Sequence, residues 1–71
     1  MKDLNLFSDA QLADLASQTR REILQLEAEM LLLKSKLVRA QCVALLRMVR
    51  TKLEQIEGEQ KARAELAALA S

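Results

Sequence analysis

The stretch that decides the fold of this chain is residues 22–37, which read EILQLEAEMLLLKSKL. Its apolar residues recur every three or four positions, which is the spacing of one face of an α-helix. The same stripe begins further upstream, and its members are Leu12, Leu15 or Ala16, Thr19, Ile23, Leu26, Met30, Leu33 and Leu37. A stripe of this length predicts a long amphipathic helix that must bury one face against a partner.

The start of this helix is marked by Ser8-Asp9-Ala10-Gln11. A Ser followed three residues later by Gln is typical of a capping box, in which each side chain bonds the backbone amide of the other residue. Phe7 and Leu12 occupy the positions of a hydrophobic staple around this cap. We therefore expect the helix to begin at Asp9.

A second apolar stripe follows, and its members are Cys42, Leu45, Val49, Leu53 and Ile56. The step from Leu37 to Cys42 is five residues, which shifts the helical phase and indicates a turn, although one unbroken helix is the competing interpretation. We predict an all-α fold in which two long antiparallel helices form a single helical-hairpin domain over residues 1–71. The expected boundaries are helix 1 at about 9–37, the turn at about 37–42, helix 2 at about 42–65 and a frayed Ala-rich tail at 66–71.

The composition argues against an enzyme. The 71 residues include no His, Trp, Tyr or Pro, one Gly and one Cys, so most catalytic side chains are missing. The lone Cys42 has no partner for an internal disulfide or a zinc site, and we expect it to be a small buried apolar residue. We expect no catalytic residue, no metal, no cofactor and no small-molecule substrate. No apolar run approaches the ~18 residues of a membrane span, and the N-terminus does not resemble a targeting signal.

The charge is divided unevenly along the chain. Residues 30–53 contain six bases and no acid, although the net charge of the whole chain is only +1. The six bases are Lys34, Lys36, Arg39, Arg47, Arg50 and Lys52. A hairpin with its turn near Leu37 gathers them at one end, and such a positive surface favours a polyanion, although a basic run on a helix is often only a solvated face.

Two further residues are left over once the hairpin is folded. Leu31 and Leu32 project away from the stripe that faces the second helix. They are either ordinary surface leucines or a contact patch for another macromolecule. Together with the small core, they lead us to expect that a partner contributes to the stability of the fold.

Two segments have a familiar pattern: EILQLEAEMLLLK at residues 22–34 and LLRMVRTKLEQI at 45–56. They resemble the large-subunit ribosomal protein twenty-nine family of bacteria and organelles. The first segment matches the family in its acidic residues, its apolar pairs and its final Leu-basic pair, Leu33-Lys34. The second matches in Arg47, Arg50, Leu53 and Ile56. Thr51 and Gln55 depart from the family, which usually has basic residues there.

The resemblance implies a structural protein of the large ribosomal subunit. Such a protein binds ribosomal RNA near the nascent-chain exit tunnel, beside other exit-site proteins, in the bacterial cytoplasm, a chloroplast or a mitochondrion. The six bases are then the candidate RNA contacts, with the arginines suited to bidentate phosphate binding and the lysines acting as point charges. Whether Arg20 and Arg21 also touch RNA stays open.

The main alternative is a homodimeric coiled coil or scaffolding protein that binds a helical protein partner and no nucleic acid. It would use the Ile23 to Leu37 stripe between chains. The phase shift and the single sign of charge over residues 30–53 argue against it, because parallel copies would repel each other there. A helix lying on a membrane surface is a weaker alternative, which the acidic flanking segments disfavour.

Overall fold

The computed structural model describes residues 3–70 and contains a short 3-10 turn followed by two α-helices. The 3-10 turn is Leu4–Leu6, helix α1 is Asp9–Leu32 and helix α2 is Lys36–Ala70. The helices pack side by side in opposite directions and form a rod of about 53 × 18 × 17 Å. Residues 3–70 contain no strand. The predicted all-α helical hairpin is therefore confirmed, while Met1, Lys2 and Ser71 of the expected domain and tail lie outside the described residues.

Helix α1 begins as its sequence predicts. The backbone N–H of Gln11 donates to Ser8 Oγ at 3.1 Å, and the N–H of Ser8 donates to Gln11 Oε1 at 2.8 Å. These two bonds complete the capping box. Phe7 packs against the cluster that contains Leu12, as the hydrophobic staple requires. The cap and the staple together fix the angle at which the N-terminal segment enters α1.

The core lies at the end of the rod away from the turn. Its fully buried members are Leu12, Ala16 and Ile56, with Leu53 among the partly buried residues packed around them. Thr19 is also fully buried, and its hydroxyl donates to the carbonyl of Leu15 at 2.7 Å. This bond satisfies the hydroxyl, so a polar residue can occupy the helix interface without an unpaired group.

The predicted position of the turn is wrong. The linker between the helices is residues 33–35, whereas the phase shift placed it at about 37–42. Leu33 is extended, with φ −81° and ψ 129°, and no described residue has a positive φ, so the reversal requires no Gly. Ser35 caps α2, because its Oγ accepts from the N–H of Val38 at 3.5 Å and its carbonyl from Arg39 at 3.0 Å. Val38 lies inside α2, where we expected it in the turn.

The earlier turn changes which residues face the other helix. Leu37 was expected in the buried stripe but is 71% exposed on the first turn of α2. Leu45 was also assigned to the stripe, yet it is 50% exposed while Leu46 is 4% exposed. The buried stripe of α2 passes through Cys42, Leu46, Val49, Leu53 and Ile56 in steps of three or four. Helix α2 also runs to Ala70, beyond the expected end near residue 65.

Arg63 of α2 makes hydrogen bonds to the N-terminal segment. The guanidinium of Arg63 donates to Asp9 Oδ1 at 2.9 Å, to Glu59 Oε1 at 3.0 Å and to the carbonyl of Leu4 at 3.0 Å. The hydrogen bond to Asp9, followed by that to Glu59, raises the pKa of Arg63 above its usual value. Through these bonds Arg63 holds both carboxylates and the 3-10 turn together.

Candidate functional site

Four of the six candidate bases form a line along one side of α2. Lys36, Arg39, Arg47 and Arg50 are separated by three, eight and three residues, and Val43 occupies the middle of the gap of eight. Because an α-helix turns once every 3.6 residues, these positions share one face. We call these four bases with Val43 the basic stripe. It extends along about 21 Å of the helix axis at ~1.5 Å per residue.

The other two bases lie off this stripe. Lys34 is in the linker, where it is exposed. Lys52 is two residues beyond Arg50, so it projects from a different side of α2 and is partly buried. The six bases are thus spread along the half of the rod next to the turn, and they do not form a compact end. The reason is the early turn, which leaves most of them within α2.

The basic stripe is accompanied by one acid from α1. Glu27 Oε2 lies 3.6 Å from a guanidinium nitrogen of Arg50, and both side chains are about half exposed. An exposed pair at this distance contributes little to stability, so Arg50 can exchange this carboxylate for another anion at low cost. The charge pattern of residues 30–53 does not reveal this pair, because Glu27 lies outside that segment and approaches Arg50 only through the hairpin.

The expected patch of Leu31 and Leu32 is divided between two surfaces. Both side chains are exposed, by 80% and 81%, as expected. Leu31 lines a groove of about 400 Å³ beside the basic stripe, together with Met30, Val43, Arg47 and others. Leu32 lines a separate cavity. Adjacent residues on a helix are about 100° apart around its axis, which explains why Leu31 and Leu32 line different sides of the hairpin.

The second cavity, of about 420 Å³, lies on the side of the hairpin away from the basic stripe. Its lining is Leu26, Glu29, Leu32, Leu33, Val38, Gln41, Cys42 and Leu45. The thiol of Cys42 is buried, as expected, and donates to the carbonyl of Leu26 at 3.6 Å. Ser35 is a helix cap and could have indicated the position of the turn from the sequence. The residue three positions after it, Val38, lacks the Glu or Gln side chain that would complete a capping box.

Arg20 and Arg21 project from different sides of α1. A guanidinium nitrogen of Arg20 lies 3.4 Å from Glu57 Oε2 of α2, and both side chains are about half exposed. Arg21 is exposed and lies two residues from both Thr19 and Ile23, on the side of α1 that faces away from α2. Neither arginine belongs to the basic stripe.

The remaining chemistry of the described chain is limited. Within residues 3–70, no group of three or more Cys, His, Asp or Glu residues is arranged to hold a metal ion. The helices described for this chain include none that is long and apolar enough to cross a membrane. The arrangement offers a line of cations on one side of the hairpin and apolar grooves on both sides.

The fold and these surfaces define a two-helix hairpin with a basic stripe. No family model matches the chain, and neither a curated protein nor a solved structure matches it.

Proposed function

We propose that this chain is a non-enzymatic structural constituent of the large ribosomal subunit, which binds ribosomal RNA through the basic stripe. The observation that carries the proposal is the alignment of Lys36, Arg39, Arg47 and Arg50 on one face of α2. The ribosomal part of the proposal rests on the resemblance of residues 22–34 and 45–56 to the ribosomal protein twenty-nine family. The proposed setting is a bacterial or organellar ribosome, near the exit tunnel and beside other exit-site proteins.

The geometry of the stripe suits duplex RNA better than single strands. A-form RNA hides its base edges in a deep and narrow groove, so proteins read its phosphates, its 2′-hydroxyls and its shape. A straight helix with four cations along about 21 Å can contact successive phosphates without bending. The chain has one aromatic residue, Phe7, which lies in the N-terminal segment far from the stripe, and single-strand binding usually requires aromatic stacking.

Lys34 and Lys52 would have a secondary role. Both lie off the face that presents the four aligned bases, so they add to the positive field without sharing the same contacts. The arginines would make the directional contacts, because a guanidinium can donate two parallel hydrogen bonds to one phosphate. Val43 and Leu31 would fill the apolar space between them against the sugar surface.

The first test is the salt dependence of binding to an RNA duplex of about 20 base pairs, measured by fluorescence anisotropy at several KCl concentrations. Each phosphate contact contributes roughly 0.7–0.9 to the slope of log affinity against log salt. The double variant Arg47→Ala/Arg50→Ala should therefore lower the slope by roughly 1.4–1.8 and weaken binding similarly for duplexes of different sequence.

The matched control is Arg21→Ala/Lys61→Ala, which removes the same charge from exposed positions outside the stripe. It should leave the slope nearly unchanged. An equal loss in both double variants would mean that only net charge matters. Unchanged binding in the Arg47/Arg50 variant would show that these bases are ordinary solvated charges.

The second test addresses the ribosome. The native protein from its source cells should sediment with large subunits, and the Arg47→Ala/Arg50→Ala variant should be released at a lower salt concentration. Sedimentation as a free dimer, with no ribosomal RNA, would favour the homodimeric scaffold. In the hairpin, however, Ile23, Leu26 and Met30 are partly buried on the side of α1 that faces α2 of the same chain.

A further inference from the structure

A continuous apolar groove runs along the side of the hairpin opposite the basic stripe. The cavity lined by Leu32, Leu33 and Val38 shares Leu26, Glu29 and Leu45 with a second hollow of about 290 Å³, which extends towards Glu22. From Glu22 to Leu32 the groove follows about 15 Å of α1, which corresponds to nearly three turns of a helix. We call this surface the acidic groove, because Glu22 and Glu29 are among the residues that line it.

The floor of the acidic groove is apolar and open to solvent. Leu32 is largely exposed and Leu45 is half exposed, although both are large aliphatic side chains. Leu26 and Leu33 are only partly buried between them. Leu45 is adjacent in sequence to the buried Leu46 and lies at the edge of the helix interface.

Two negatively charged side chains, Glu22 and Glu29, line the acidic groove. Glu22 and Glu29 are seven residues apart on α1 and therefore stand on the same face, about 10 Å from each other along the axis. No Lys or Arg of the described part of the chain lines either hollow. Among residues 3–70, neither glutamate has an ion-pair partner, whereas Glu27, Glu57 and Glu59 each pair with an arginine.

We propose that the acidic groove docks a basic amphipathic α-helix of another protein. Apolar residues at i, i+3 and i+7 of that helix would fill the space over Leu26 and Leu45, in the helix-in-groove mode. Lys or Arg residues spaced about seven apart on its flank would face Glu22 and Glu29, and this charge complementarity selects the partner. The inference does not rest on RNA binding, which uses the opposite side of the hairpin.

The experiment measures binding of the full chain to a labelled helical peptide of about 14 residues, with Leu at the i, i+3 and i+7 positions and Lys on both flanks. A second peptide carries Glu in place of each Lys. The Lys peptide should bind, and the Glu peptide should bind at least about ten-fold more weakly because like charges meet at the rim. Glu22→Gln/Glu29→Gln should weaken the Lys peptide by about two- to ten-fold.

The apolar floor is tested with Leu45→Asp, which should weaken binding by at least about ten-fold. Its matched control is Leu24→Asp, an exposed leucine of α1 that lines neither hollow. Circular dichroism establishes that both variants remain helical, and Leu45→Gln provides a milder change if Leu45→Asp unfolds. Both variants should keep the salt-dependent RNA binding of the native chain.

Three results would overturn the proposal. The first is equal affinity for the Lys and Glu peptides, and the second is equal binding by the Leu45 and Leu24 variants. The third is occupation of the groove by a second copy, detected by analytical ultracentrifugation as a dimer that Leu45→Asp dissociates. Loss of RNA binding in Arg47→Ala/Arg50→Ala with peptide binding intact would separate this groove from the proposed ribosomal function.

Discussion

Replacing Ile56 by Ala tests the packing of the hairpin most directly. Ile56 of α2 is fully buried against Leu12 and Ala16 of α1. The substitution removes three carbon atoms, which costs ~2.4 kcal/mol at ~0.8 kcal/mol for each buried group, and the remaining cavity adds to this. The higher helix propensity of Ala returns only about 0.5 kcal/mol. The expected loss of unfolding free energy is therefore roughly 2–4 kcal/mol.

That loss is large for a chain of this size, whose core supplies only ~3–5 kcal/mol. Ile56→Ala should thus be partly unfolded in dilute solution without denaturant. Urea titration followed by far-ultraviolet circular dichroism measures the change. The control is Leu37→Ala. The sequence pattern predicted that Leu37 is buried, but it is exposed, so this substitution should change the free energy of unfolding by no more than ~0.5 kcal/mol. Equal losses for the two variants would refute the packing and the position of the turn.

The remaining predictions concern the hairpin geometry and its N-terminal segment. Spin labels on cysteines at Asp14 and Lys61, with Cys42 replaced by Ala, should lie well under 40 Å apart, whereas a continuous helix would separate them by about 70 Å. Arg63→Ala should speed chymotryptic cleavage after Phe7, because the bonds to Asp9 and to the Leu4 carbonyl are lost. Lys61→Ala is the neighbouring control, and equal cleavage of both variants would show that Arg63 does not hold this segment.

The balance between core and surface leads us to expect that a partner contributes to the stability of this fold. The fully buried residues are concentrated near the N-terminal end of α1, and the half of the rod next to the turn is lined by partly exposed leucines. A ligand that binds only the folded state raises the free energy of unfolding by an amount that grows with the ratio of ligand concentration to Kd. We expect the isolated chain to melt at low temperature and over a broad range. A sharp transition at high temperature for the dilute monomer would contradict this view.

Local signals in the sequence were sufficient for the start of α1 and for the fold class. The bonds of Ser8 and Gln11 join residues three apart, so they form wherever this segment becomes helical. The turn could not be placed in the same way. Leu37 continues the spacing of Leu33, and an extended Leu33 followed by a capping Ser35 leaves no Gly or Pro as a marker. Hydrophobic periodicity gives little sign of a chain reversal that contains neither Gly nor Pro.

By itself, the sequence determined two long amphipathic helices, the cap at Ser8 and the absence of acids over residues 30–53, because each depends on the order of neighbouring residues. Only the tertiary structure decided that Arg50 faces Glu27, that Leu31 and Leu32 serve different grooves, and that Arg63 holds the N-terminal segment. These relations join residues that are far apart in the chain or on different sides of a helix. They are fixed by how one helix is rotated against the other, and the earlier turn changes that rotation.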